Sequence, residues 1–407
     1  MHRKIKLSLF PIMTIFLYHT AIIKITYIDS YNTIALTLGI CVLIYLLTKK
    51  IFLNKSYAKI NITLLFFAMI YLFTSLYNSA NFDGTILFIL KVILLFLFLE
   101  YAHKTNTTKK VAKILFILNV IYLSLTYISI LRDPLISWKN EFNYIIGAKF
   151  TVSYISIATL ALYNFVYQEE FRKKNMYKVI GILLCIASIH ISQTVKCSTG
   201  LFGNFIFIFI QLFNFKKIKK FISKPINIII IFVISCSVLM IFYRTLVNIP
   251  IIKYVVEEVL NRNLTLTGRM YVYDNIIPFL EKNFFLGYGY NSVYSLFDNV
   301  MYIGNNSYAL TAQNAILEYW LYSGFIGVVN LFSIMYYALK NNYTYCLISN
   351  KNNYYPFIVG LITLIILGMV EITVNMYFFM FLAFLNVQNR KGETKYENSN
   401  FVNAENR

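Results

Sequence analysis

The sequence predicts an all-α fold: a polytopic membrane protein with about 12 transmembrane helices and one large external loop that contains short helices. Three observations support this prediction. Of the 407 residues, 58% are hydrophobic and only 13% are charged, whereas soluble domains carry about 25% charged residues. Apolar runs of membrane-spanning length recur along the chain. The basic residues cluster in alternate connections between those runs.

The apolar runs are bounded by charged or polar clusters, and each approaches the roughly 20 residues that cross a bilayer. The first follows the basic segment Met1–Lys6, and no small-residue cleavage site comes after it, so we expect an uncleaved helix. For the last two runs an alternative is one long helix broken near Glu371. The predicted spans are 7–23, 33–48, 61–77, 84–101, 114–131, 150–167, 179–194, 199–215, 226–243, 314–339, 356–370 and 372–388.

The distribution of Lys and Arg predicts the orientation of these spans. With both termini in the cytoplasm, the cytoplasmic segments hold 26 Lys and Arg and the external segments hold 10. Cytoplasmic loops of membrane proteins collect basic residues. This bias explains the net charge of +20 without a nucleic-acid partner. The sequence therefore predicts a multi-pass protein of the bacterial inner membrane.

Four parts of the chain follow from this topology. Residues 1–243 hold helices one to nine, 244–313 form the large external loop, 314–388 hold helices ten to twelve, and 389–407 form a cytoplasmic tail. In the loop, Ile251–Arg262 has the charge spacing of a helix that lies along the membrane surface. The five cysteines form no CxxC pair and the four histidines are scattered, so no metal site and no cofactor are expected.

Several short motifs follow one another around the large loop. They are Gly268-Arg269, then Gly287-Tyr288-Gly289, then Gln313-Asn314, and finally Gly324 with Gly327. This order and spacing resembles the O-antigen ligase and Wzy-type O-antigen and capsular polysaccharide polymerase superfamily, in which a His precedes the Asn. A weaker match is Lys196-Cys197-Ser198-Thr199-Gly200, where relatives often have Ser-Arg.

The resemblance implies a GT-C-like, metal-independent glycosyltransferase with a polyprenyl-pyrophosphate glycan donor. The leading interpretation is a polymerase of undecaprenyl-pyrophosphate-linked oligosaccharide repeat units, for O-antigen, capsule or exopolysaccharide. One alternative is an O-antigen ligase that transfers glycan to a lipid A core or another acceptor. A second is a lipid-linked glycan flippase or transporter, which the large external loop disfavours. The implied partners are the lipid-linked oligosaccharide, membrane lipid, and flippase and chain-length regulator proteins.

Pyrophosphate needs cations, because negative charge develops on it as the glycosidic bond breaks. Arg269 stands at the family position, and its planar guanidinium can bind two phosphate oxygens. Arg244 and Lys196 are predicted to bind substrate from the ends of their spans, with interfacial anchoring as the alternative. Lys91 lies mid-span, where an ionisable residue is a functional candidate by default, or else one half of a structural pair.

Proton transfer is where the chain departs from the family. Gln313 replaces the His and cannot accept a proton at neutral pH, so it is expected to orient substrate. Glu318 is a candidate base, with a bundle-facing carboxylate paired to a cation as the alternative reading, and Asp274 and Glu281 are further candidates. Proton release to solvent or phosphate, or an inactive chain, are the other possibilities. Asn314 is predicted to bind substrate.

Aromatic residues and glycines complete the candidate set. Tyr288 and Tyr290 are predicted to contact sugar, with interfacial Tyr as the alternative. Gly287 and Gly289 are expected in a tight turn, and Gly324 with Gly327 in close helix packing.

Overall fold

The structure, a computed structural model, describes the helical body and parts of the large loop. The predicted first span, the tail from 389 and half of the predicted surface helix lie outside the described residues. The described ranges are 31–48, 58–133, 144–212, 216–246, 249–254, 257–258, 269–297, 302–304, 307–349 and 352–386.

Helices occupy every predicted span within the described residues. Short helices connect some of them, and the remaining structure includes one small hairpin, so the all-α class is confirmed. The long helices are α1 Tyr31–Thr48, α2 Ala58–Tyr77, α3 Phe82–Lys104, α4 Thr108–Arg132, α5 Lys149–Val166, α6 Asn175–Thr194, α7 Ser198–Leu212, α9 Pro225–Leu246, α14 Ala315–Ser349, α15 Tyr355–Leu367 and α16 Met376–Leu385. The short elements are a 3₁₀ turn Glu170–Arg172, α8 Lys216–Ile222, α10 Pro250–Tyr254, α11 Arg269–Asn275, α12 Ile277–Lys282, α13 Val293–Phe297, β1 Tyr302–Gly304 and β2 Ser307–Tyr308.

Within the described residues, 6 helices are long and apolar enough to cross a membrane: α2, α3, α4, α6, α9 and α14. Shorter apolar helices are α7, α15, α16 and Thr37–Leu47 within α1. The chain is therefore a multi-pass membrane protein, and the count of about 12 spans stays a prediction.

Helices α15 and α16 form an antiparallel hairpin at the centre of the bundle. The rings of Phe357 and Phe384 stack with centroids 4.3 Å apart, which places the start of α15 beside the end of α16. A Cβ on Gly360 would lie 2.7 Å from the ring of Phe381, so the glycine permits this close approach. The alternative of one long bent helix is wrong, because the chain reverses direction between α15 and α16.

The hairpin is buried along its length by the surrounding helices. Helices α5, α7 and α9 pack against α15, while α3 and α14 pack against α16. Residues 368–375 join the two helices, and we call them the hairpin tip. Asn375 begins α16 by accepting hydrogen bonds from the backbone N–H groups of Tyr377 and Phe378. The tip therefore lies at one end of the bundle, held by the helices packed around the hairpin.

Candidate active site

Glu371 is the charged residue of the hairpin tip. It is 8% exposed, and its Oε1 accepts a hydrogen bond from Arg269 Nη2 at 2.8 Å and another from Thr199 Oγ1 at 3.1 Å. Arg269 also donates from Nε to the carbonyl of Val370 at 2.9 Å. Arg269 is thus fixed to the tip by its ion pair with Glu371 and by its hydrogen bond to the backbone carbonyl of Val370.

The electrostatics of Glu371 reflect its surroundings. Burial raises the pKa of Glu371 above its ordinary value, and the charge of Arg269, the Thr199 hydroxyl and the charge of Lys149 counteract that rise. Sequence reasoning missed Glu371 and Lys149 as site residues. A carboxylate between two apolar runs was a usable signal, since such residues are rare without a function. Nothing in the local sequence of Lys149 pointed to Glu371.

The N-terminal ends of three long helices also meet the tip. The backbone N–H of Ala315, at the start of α14, donates to the carbonyl of Gly368 at 2.8 Å. Thr199 lies in the first turn of α7. The hydroxyl of Tyr154, in the second turn of α5, contacts the carbonyl of Ile372 at 3.4 Å. Helix N-termini carry partial positive charge and C-termini partial negative charge. The three N-termini here outnumber the C-terminus of α15, which ends at the tip, so their combined partial charge favours an anion.

Gln313 lies beside the tip through its backbone. The Tyr273 hydroxyl contacts the carbonyl oxygens of Gln313 and Met369, each at 3.0 Å. A tyrosine hydroxyl is protonated at neutral pH, and burial raises the pKa of Tyr273 further, so this hydroxyl can donate a hydrogen bond. Gln313 has a φ of 50°, in the left-handed region. The structure therefore brings Gln313 and Arg269 to opposite ends of one tip segment, 369–371.

Asn314 has a structural role in the start of α14. Its Oδ1 accepts hydrogen bonds from the backbone N–H groups of Ile316 and Leu317, and its Nδ2 donates to the carbonyl of Cys236 at 3.1 Å. The side chain is fully buried. Asn314 caps α14 and ties it to α9.

Glu318 is buried one turn further along α14, with 1% of its surface exposed. It accepts a hydrogen bond from the backbone N–H of Ala312 at 2.6 Å and another from the Tyr322 hydroxyl at 2.5 Å. Neither of these two partners is a cation, whereas the alternative interpretation of Glu318 was a carboxylate paired with a cation. Glu318 thus holds the segment before α14 against the helix.

The Gly-x-Gly motif and Gly324 form two sides of one contact. Gly324 interrupts α14 with a φ of 67°, and there the backbone N–H of Phe325 donates to the carbonyl of Phe284 at 2.9 Å. A Cβ on Gly324 would lie 2.0 Å from the carbonyl oxygen of Phe285, and one on Gly287 would lie 2.5 Å from the nitrogen of Gly324. Gly287 and Gly289 occupy a turn with positive φ. Gly324 therefore lets the backbone of the preceding loop approach a break in α14. Close packing of two helices, which the sequence predicted for Gly324, is wrong at this position.

Both candidate sugar-contacting tyrosines are engaged within the protein. The ring of Tyr290 stacks on Phe88 with centroids 4.5 Å apart, and the hydroxyl of Tyr288 donates to the carbonyl of Phe279 at 2.8 Å. Tyr290 also lies near the ring of Tyr322, which connects it to Glu318. Because of these contacts, Tyr288 and Tyr290 pack within the protein beside α14.

The remaining predicted cations lie at different places. Lys196 is exposed in the turn between α6 and α7, three residues before Thr199. Lys91 is partly buried in α3, three residues after Phe88. Arg244 is in the last turn of α9, and its side chain lies outside the described part of the structure.

A cavity of about 380 Å³ lies between α9, α12 and the first part of α14. Its lining is mostly apolar and includes Asn314, so it adjoins the residues next to the tip. The lining residues are Cys236, Ser237, Met240, Ile277, Leu280, Glu281, Phe284, Asn314, Ile316, Leu317 and Trp320. Such a lining suits a hydrocarbon chain.

Comparison with known proteins identifies one family. No curated protein matches the chain, but residues 180–332 match the family model described as O-antigen ligase. This range runs from α6 to the middle of α14 and holds Lys196, Thr199, Arg269, Gln313 and Glu318. Lys149 and Glu371 lie outside it. The resemblance seen in the motifs is confirmed, and residues 180–332 of this multi-pass membrane protein form an O-antigen ligase family domain.

Proposed function

We propose that the chain is a membrane glycosyltransferase that polymerises undecaprenyl-pyrophosphate-linked oligosaccharide repeat units into O-antigen, capsular or exopolysaccharide. The observation that carries the proposal is the position of Arg269. It lies in the family domain, it is fixed to Glu371 at 2.8 Å, and the N-termini of three long helices meet beside it. A site with these charges favours a diphosphate leaving group.

In the proposed reaction, an acceptor sugar hydroxyl forms a bond to the anomeric carbon of the donor glycan. The bond from that carbon to the diphosphate oxygen breaks, and the lipid diphosphate leaves with the bonding electrons. Arg269 stabilises the charge on the leaving group, and Gln313 orients a substrate by hydrogen bonds. Glu318 takes the hydroxyl proton through the Tyr322 hydroxyl that binds it. No metal or other cofactor enters the reaction.

We place the lipid part of the donor in the apolar cavity between α9, α12 and α14. Trp320, which lines it beside Phe284, is a side chain that suits a membrane interface. Arg244 lies in the last turn of α9, one of the helices that form this cavity. We assign Arg244 and Lys196 to binding the donor at the rim of the site. Asn314, which lines the cavity, and Tyr288, Tyr290 and Lys91 are further contributors.

We further propose that the tip faces the outside of the cytoplasmic membrane and that both termini are cytoplasmic. Residues 244–313 are then the external loop, between helices one to nine in 1–243 and helices ten to twelve in 314–388, with 389–407 as the cytoplasmic tail. The bias of 26 to 10 basic residues supports this orientation. Such an enzyme would work beside a flippase and a chain-length regulator.

The description of the matched family favours an O-antigen ligase as the second candidate. One assay separates the candidates. The full chain in lipid vesicles is supplied with a radiolabelled lipid-linked repeat unit, either alone or with a lipid A core acceptor. A polymerase gives a ladder of lengthened lipid-linked glycan from the donor alone, and a ligase gives product only with the second acceptor. Movement of unchanged donor across the bilayer without transfer would contradict both.

A further inference from the structure

Lys149, the first residue of α5, is partly buried and lies at the same end of the bundle as the hairpin tip. Its ammonium lies over the ring of Phe150, 5.4 Å from the ring centroid, and two further contacts hold the first turns of α5. The Ser153 hydroxyl, one turn further along α5, donates to the carbonyl of Lys149 at 3.2 Å. The Tyr154 hydroxyl reaches the carbonyl of Ile372, the neighbour of Glu371, at 3.4 Å. The first turns of α5 are therefore held against the tip.

The same turn of α5 also touches the start of α7. A Cβ on Gly200 would lie 1.9 Å from Ser153 Oγ, so the two helices approach as closely as backbone and side chain allow. Thr199, the neighbour of Gly200, donates to Glu371 Oε1 at 3.1 Å. The start of α5, where Lys149 lies, is therefore joined through α7 to the carboxylate bound by Arg269. The charge of Lys149 helps to lower the pKa of Glu371.

The charges around the tip are suited to an anion with more than one negative charge. Arg269 and Lys149 both act on the single carboxylate of Glu371, and the N-termini of α5, α7 and α14 add partial positive charge. A monoanion is matched by one cation, whereas a diphosphate presents several charged oxygens over a distance that one guanidinium cannot cover. Two cations on separate helices provide that second contact.

We propose that Lys149 is the second cationic ligand of the donor diphosphate, acting with Arg269 at the hairpin tip. This inference rests on the proposed function. It assigns a binding role to a residue outside the O-antigen ligase family match at 180–332. A flexible ammonium suits the role, because it can follow the diphosphate while the guanidinium stays fixed to Glu371.

The test measures diphosphate binding without turnover. The full chain in nanodiscs is titrated by calorimetry with inorganic pyrophosphate and, separately, with a short-chain isoprenyl diphosphate, in metal-free buffer. Lys149→Met should weaken both affinities about tenfold to a hundredfold, as expected for a lost charge-assisted hydrogen bond, and Lys149→Arg should recover most of the loss. The control Lys253→Met removes an exposed lysine of α10 and should change either affinity by less than about twofold.

Each outcome is decisive. Unchanged affinity in Lys149→Met, or an equal loss in the Lys253 control, overturns the inference. Tighter binding of inorganic pyrophosphate than of the isoprenyl diphosphate would show a free-anion site and would also overturn it. A Lys149→Met protein that elutes and melts like wild type shows that weakened binding is not misfolding. If diphosphate binding depends on Lys149 but no glycan is transferred, the proposed function fails while the site stands.

Discussion

The ion pair between Arg269 and Glu371 is largely shielded from water, with 17% and 10% of the two side chains exposed. Removing one partner of a buried pair leaves an uncompensated charge and costs about 3–5 kcal/mol, whereas exposed pairs contribute at most about 1 kcal/mol. With part of each side chain still exposed, the cost here falls between these limits. Glu371 is thus a positioning residue, which holds the guanidinium in one orientation.

At Arg269 we expect Arg269→Ala to abolish polymer formation while the protein remains in the membrane. Arg269→Lys should recover little, because a point charge cannot contact Glu371, Val370 and phosphate in one planar arrangement. Product is measured from the radiolabelled donor, and membrane content by immunoblot. The control Arg132→Ala removes an exposed arginine at the end of α4. Full-length polymer from Arg269→Ala would remove this residue from the mechanism.

For Gln313, the expected effect is moderate. The Tyr273 hydroxyl binds its backbone carbonyl, so Gln313→Ala keeps that contact and removes only the amide. One lost hydrogen bond is worth about 0.5–1.5 kcal/mol, or up to ~3 with a charged partner, which limits the loss of kcat to about a hundredfold. Gln313→His should be tolerated or faster. Single-turnover assays on both variants provide the measurement.

Glu318→Gln is the matched comparison, because it keeps the shape of the side chain and removes the carboxylate. Loss of a general base lowers the rate about 10² to 10⁴-fold. If Gln313→Ala is as inactive as Arg269→Ala while Glu318→Gln is fully active, the division of roles between the two residues is wrong.

The break in α14 has its own measurable consequence. Gly324 combines a φ of 67° with a ψ of −178°, a conformation that is almost restricted to glycine. Gly324→Ala would also drive a Cβ into the carbonyl of Phe285. We expect lower yield and a melting temperature in detergent several degrees below wild type, because strain of about 1–3 kcal/mol is added. The measurement is intrinsic fluorescence during heating.

Gly181→Ala is the control for that substitution. Gly181 lies in regular helix α6, where a Cβ would meet only the edge of the Tyr163 ring at 3.2 Å, and alanine favours helix over glycine. Its melting temperature should be equal to wild type or higher. A Gly324→Ala protein that melts like Gly181→Ala would contradict the account of the break.

The sequence patterns predicted the positions of the helices better than the contacts that the helices make. Apolar runs located the second span at 33–48, and α1 covers Tyr31–Thr48. The tenth was predicted to end before Lys340, yet α14 continues to Ser349, because lysine is itself a good helix former. The pairing of Arg269 with Glu371 crosses 102 residues. Hydrophobic periodicity indicates a buried face and carries no information about its partner.

At the scale of the whole molecule, the two ends of the helical bundle differ in their charged residues. The tip end joins Glu371 to α5, α7, α11 and α14. At the other end, Gln168 contacts Asn353 at 3.2 Å and Lys219 lies over the ring of Tyr355 at 4.4 Å. The lysine-rich helix α8 belongs to this second end. The separation of the ends agrees with the alternation of basic segments along the sequence.

The orientation is tested by cysteine labelling on intact cells. In a cysteine-free background, Lys282→Cys in α12 should react with a membrane-impermeant maleimide, and Lys220→Cys in α8 should react only after permeabilisation. Both side chains are exposed, so accessibility reports the membrane side rather than burial. Labelling of position 220 in intact cells would reverse the proposed topology.

The central hairpin also constrains how the protein is assembled. Its helices have 13 and 10 residues, about 20 and 15 Å long, and neither alone spans a hydrocarbon core of about 30 Å. They are also synthesised after the helices that surround them. The centre of the bundle can therefore close only after the ribosome has made α15 and α16. Glu371 can reach Arg269 only from that point on, so the candidate site is completed late in synthesis.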